Sequence, residues 1–177
     1  MLYLKRYFAA AAAILVLLTG CRSDQAAREQ VQESLSTPFS TTAKLRYNGV
    51  DAEVQITGEG EGKCYTLCFT DPPSLRDIQM KFTEEKVNVA YKGMSFGVKP
   101  EALTDGMAGE ILMETIRSAF GGEDISVECG DGIISICGRI NNGDFTLRLD
   151  RTTGNFLSLD LPDNDFYMEF SGFEFYQ

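Results

Sequence analysis

The 177-residue sequence contains no histidine and no tryptophan, and only 5 prolines. Without an imidazole there is no Ser-His or Cys-His pair, no histidine proton shuttle and no mixed Cys/His zinc site. Basic residues are scarce as well: 16 Lys and Arg stand against 26 Asp and Glu, for a net charge of −10. So acidic a chain lacks the basic face that nucleic acid or an anionic head group requires. Beyond the first twenty residues, no apolar run approaches the ~20 residues that span a bilayer as a helix.

What is present begins with the apolar run itself. Lys5 and Arg6 form a basic start, and Tyr7 to Leu18 is apolar but short for crossing a ~30 Å hydrocarbon core at 1.5 Å per residue. The pattern is that of a secretory signal, here residues 1–20. It ends in Leu18-Thr19-Gly20-Cys21, which resembles the bacterial lipobox: an aliphatic residue, two small residues and a cysteine. The resemblance implies that residues 1–20 are removed and that the Cys21 sulfur takes a diacylglyceryl group. Two acyl chains at ~0.8 kcal/mol per buried CH₂ give stable anchoring to the extracytoplasmic face of the cell membrane. Losing Lys5 and Arg6, and no acid, takes the net charge from −10 to −12.

The four remaining cysteines are Cys64, Cys68, Cys129 and Cys137. Their C-x₃-C and C-x₇-C spacings do not match a zinc finger. Cys64 and Cys68 lie ~13 Å apart along an extended strand, outside disulfide reach. Two states stay open: free thiols, or a bridge from Cys64 or Cys68 to Cys129 or Cys137.

Residues 21–38 read as a lipidated cysteine, a polar tether and a short helix carrying a thin stripe of Ala27, Val31 and Leu35, ended by Pro38. From residue 39 the period becomes two. Phe39, Ala43, Leu45 and Tyr47 alternate with polar residues, Asn48-Gly49 supplies a hairpin turn, and Val50, Ala52, Val54 and Ile56 resume the alternation. The same grammar gives about ten strands through residue 177, with a phase slip at Ser171-Gly172 that marks a bulge. One segment differs: about 103–120 places Ile111, Leu112, Ile116, Ala119 and Phe120 at helical spacing before Gly121-Gly122.

Alternation and helical spacing therefore specify a single α+β domain over 39–177: a large antiparallel sheet, apolar on one side, curved by its own twist, with an N-terminal helix and a central helix packed on its concave face. The element order, with the strand pairs "LRLDRTTGNFLSLDLP" and "MEFSGFEF", resembles the LolA-like family of lipoprotein and lipid carriers. That resemblance implies an unclosed half-barrel with a helical lid over an apolar cavity; no cofactor is expected. Phe69, Met80, Phe82, Tyr91, Ile116, Phe120, Phe145, Met168 and Phe170 are the side chains expected to line it. The same alternation also describes a filled core. Two functions follow: a membrane-anchored carrier of a lipid or of a lipoprotein's acyl chain, or an envelope interaction module whose interior is filled by its own helix and which docks a protein partner.

Three motifs resemble chemistry and lack its context. Gly93 to Gly97, "GMSFG", matches G-x-S-x-G, but strand-like residues flank it on both sides and no histidine serves Ser95. "GEGEGK", Gly58 to Lys63, misses the phosphate-loop spacing and carries two glutamates. Asp160, Asp163 and Asp165 are hard oxygen ligands without the glycine and distal glutamate of a calcium loop. The chain reads as non-enzymatic.

Overall fold

The computed structural model describes residues 25–61, 63–83, 85–99, 108–121 and 124–176. Cys21 and the signal-like segment lie outside the described residues, as does the first part, 103–107, of the expected central helix.

Helix α1 spans residues 25–36 and buries the expected stripe, Ala27, Val31 and Leu35, with Ser34 beside it. Six strands follow as a meander: β1 Phe39–Tyr47, β2 Val50–Gly58, β3 Cys64–Asp71, β4 Ile78–Thr83, β5 Val87–Tyr91 and β6 Met94–Val98. Helix α2, Ala108–Gly121, comes next. A second meander returns through β7 Ser126–Gly130, β8 Ile133–Ile140, β9 Gly143–Asp150, β10 Phe156–Leu161 and β11 Phe166–Phe175.

The two meanders join where β11 pairs with β1, so one sheet runs β6-β5-β4-β3-β2-β1-β11-β10-β9-β8-β7, antiparallel throughout. The sheet is open, with β6 and β7 as its edges. Because β6 ends at one edge and β7 starts at the other, the connection must cross a face. Helix α2 makes that crossing on the apolar side and packs over β3, β4 and β8. It buries Ile111, Leu112, Met113, Ile116 and Ala119 against the sheet.

The fold class read from the sequence is thus the one observed, with eleven strands among the described residues where about ten were expected. Strand β7, "SVECG", is only five residues long, with Val127 and Cys129 half-buried and Ser126 and Glu128 exposed in alternation. At the β1–β11 junction the register slips between Ser40/Glu174 and Thr42/Ser171, which puts the bulge at the expected Gly172 step.

At the end of the sheet nearest α1, an aromatic cluster fills the core. The Phe39 ring stacks on Phe173 at 4.9 Å and meets Phe156 edge-on at 5.2 Å. The four described cysteines are free thiols. Five strands separate β3, which carries Cys64 and Cys68, from β8, which carries Cys137, so no bridge spans them. Burial and the neighbouring Glu59 carboxylate push the Cys64 thiol pKa up, which favours the protonated, inert form.

Candidate functional site: an apolar groove

The concave face is packed over part of its area and open over the rest. Phe82, Ile116, Phe145 and Met168 are at most 1% exposed, and Phe170 is 7% exposed. These five belong to the core under α1 and α2. Phe120 is half-buried at the end of α2, where its carbonyl accepts a hydrogen bond from Gln32 Nε2 of α1.

Phe69 and Met80 lie elsewhere. They line a groove of about 350 Å³ at the end of the sheet away from α1. Its floor is Leu45, Ala52 and Leu67; its rim is Tyr47, Val50 and Leu75, and Ala108 and Gly109 at the start of α2 close one side. Tyr91 stands beyond it on β5, with Lys92 Nζ 5.0 Å above its ring. Of the nine side chains expected to line a cavity, the structure therefore brings Phe69 and Met80 to one groove.

Local chemistry explains why space remains there. The β1–β2 turn is made by Asn48 and Gly49, both with positive φ, a tight two-residue hairpin of the primed type. It ends the β1–β2 ribbon abruptly, leaving Val50 52% exposed on the apolar side. Gly109 gives α2 no side chain at the point of contact with the Phe82 ring. The helix start therefore sits close to β4 and contributes no bulk to the groove.

Among the described residues, the groove lining is almost wholly apolar, with no titratable side chain except Tyr47. Such a surface binds by burial at ~25 cal/mol per Å², and among the described residues the Tyr47 phenol is the one group on it that could exchange a proton. Its volume is at the low end of the ~300–1,000 Å³ typical of ligand sites. That space fits one acyl chain or a few apolar side chains, not a whole diacyl lipid. The other hollows differ in character. One on the outer face is rimmed by Lys44, Arg46, Asp51 and Glu53; another, between α1 and the β9–β10 turn, by Glu33, Ser34, Thr152 and Thr153.

Sequence periodicity places Leu45, Tyr47 and Ala52 on the apolar face without marking them as groove residues. Leu75 carries a sequence signal of its own, as the single apolar aliphatic residue in the polar loop "DPPSLRD". Ser95 sits in edge strand β6 and is followed by strand rather than helix, so the geometry of a nucleophile elbow is absent.

No family model and no curated protein sequence matches the chain. Solved structures do share its fold. An uncharacterised conserved protein from Thermus thermophilus superposes with a TM-score of 0.57 at 14% identity, over 88% of each chain. A chain from the complex of the CwlD amidase with the GerS lipoprotein of Clostridioides difficile gives 0.52 at 13% identity, over 78% of this chain and 86% of that one. A LolA superfamily protein from Nitrosomonas europaea gives 0.49 at 10% identity, over 87% and 94%. At such identities the likeness concerns the fold.

Proposed function

We propose that this protein is an extracytoplasmic lipoprotein, tethered to the cell membrane through lipidated Cys21, that holds one acyl chain or similar apolar moiety in the groove between the β1–β2 hairpin and the start of α2. It acts by binding, without catalysis. The observation that carries this reading is the groove itself, apolar on floor and rim, left open beside the filled core under α1 and α2. The lipobox-like Leu18-Thr19-Gly20-Cys21 supports the membrane setting, and so does the presence of a lipoprotein complex among the structures of similar fold.

The test is a fluorescence titration with a BODIPY-labelled fatty acid. Saturable binding at one site, changed little between ~50 and ~500 mM salt, supports the reading, because apolar burial is insensitive to screening. Absence of saturable binding, or affinity that collapses with salt, contradicts it.

A further inference from the structure

The apolar face of the sheet outruns its cover. Cross-strand pairing lines up Leu67, Met80, Val89 and Phe96 in one inward-facing row from β3 to β6. Along that row Leu67 is 1% exposed, Met80 9%, Val89 half-buried and Phe96 58%. The neighbouring row ends the same way, with Tyr91 opposite Met94, which is 67% exposed. Helix α2 packs over β3 and β4, and the core thins beyond them.

Strand β6 is also an edge. Its five residues pair regularly with β5 and, among the described residues, with nothing on the other side. Edge strands are ordinarily guarded by an inward charge, a proline or a bulge. Met94-Ser95-Phe96-Gly97-Val98 has none of these. The other edge, β7, places Val127 and Cys129 against the core and carries Glu128, so it offers no comparable surface.

Charge selects the occupant. Exposed Lys92 and Lys99 flank β6 at either end, in a chain whose net charge is −10. A second copy pairing antiparallel through β6 would set Lys92 against Lys99 at both ends. In parallel pairing each lysine would meet its own twin. Like charges placed directly across a strand pair oppose pairing.

We propose that β6 is a strand-addition site for an extended segment of another protein, with apolar residues at alternate positions over Met94 and Phe96 and an acidic residue near each end, against Lys92 and Lys99. Backbone hydrogen bonds to the edge left unpaired among the described residues supply affinity, and the two exposed apolar side chains and two lysines supply selection. This surface is separate from the groove, whose lining includes no β5 or β6 residue, so failure of either leaves the other standing.

The experiment is fluorescence anisotropy with the full chain and labelled synthetic peptides of alternating Val and Thr, ended in Asp or in Lys. A third peptide, Asp-ended, is N-methylated on the amides that would face β6. The Asp-ended peptide should bind on the order of tenfold more tightly than the Lys-ended one. N-methylation should abolish binding, and Phe96→Ser and Met94→Ser should each weaken it. Both positions are exposed, so neither variant endangers folding. Equal binding of Asp- and Lys-ended peptides overturns the proposal, as does binding indifferent to Phe96→Ser or to N-methylation, or no binding. A dimer in sedimentation that Phe96→Ser returns to monomer also overturns it, giving the edge to a second copy.

Discussion

Gly109, in the first turn of α2, lies so close to Phe82 on β4 that a Cβ built on the glycine would collide with the ring at Cδ2, Cε2 and Cζ. Phe82 is wholly buried and has nowhere to retreat. The contact fixes how near the crossing helix approaches the sheet, and with it the side wall of the groove.

Gly109→Ala therefore sets two effects against each other. Alanine is better than glycine in a helix by about 1 kcal/mol, but overpacking a filled core costs about 1–3 kcal/mol. With the ring immobile, overpacking wins, and urea denaturation should show net destabilisation. Combining the substitution with Phe82→Leu should shrink its penalty, because the obstructing ring is gone.

The β1–β2 turn offers a second test. Gly49 has φ +73° and no atom within 4 Å of a built Cβ, so any effect of substitution there is conformational rather than steric crowding. Gly49→Val should cost about 1–2 kcal/mol, the left-handed penalty for a residue with a Cβ, whereas Gly49→Asn should cost less. Thermal denaturation of the two variants distinguishes them.

These two glycines show where the sequence was legible and where it was not. Asn48-Gly49 declares its turn locally, since few other dipeptides accept two positive φ values. Strict alternation likewise exposed the inward faces of β1, β2, β4, β9 and β11. Gly109 carries no such signal: its meaning lies in Phe82, distant in sequence and brought close only by the crossover. The groove was hidden for the same reason. Alternation says that Phe82, Phe145 and Met168 point inward, and only tertiary packing decides that α2 covers them while Phe69 and Met80 stay open to the groove.

Asp150, the last residue of β9, should give a measurable pH dependence. Its carboxylate accepts backbone N–H bonds from Thr152 and Thr153, each at 2.8 Å, and a further bond from the Thr153 hydroxyl at 3.1 Å. These bonds hold its pKa below the ordinary carboxylate value of 3.8. A folded-state pKa below the unfolded one contributes stability present above the unfolded value and lost as pH falls through the folded one. Asp150→Asn keeps an acceptor oxygen but cannot ionise. The melting temperatures of the parent and the variant should therefore differ at about pH 6 and converge toward about pH 2.

Val50 tests the groove without risking the fold. It is half-exposed on the rim, so Val50→Glu should change stability by no more than about 0.5 kcal/mol. A carboxylate at the groove mouth should nevertheless weaken fatty-acid binding by about tenfold or more. Competition with unlabelled dodecanoate, run on both proteins, reads the difference.

The anchor is tested at Cys21. Cys21→Ser should abolish incorporation of an alkyne-labelled fatty acid in growing cells and move the protein from the membrane fraction to the soluble one. The Cys64→Ser variant should remain labelled.

The central claim is that the open part of the concave face is a ligand site, and native mass spectrometry on residues 22–177, purified from cells that make phospholipids, tests it most directly. The account predicts a stoichiometric adduct with the mass of a single-chain lipid or fatty acid, lost in Val50→Glu. A clean unliganded mass, unchanged after incubation with fatty acids and lysolipids, would contradict it.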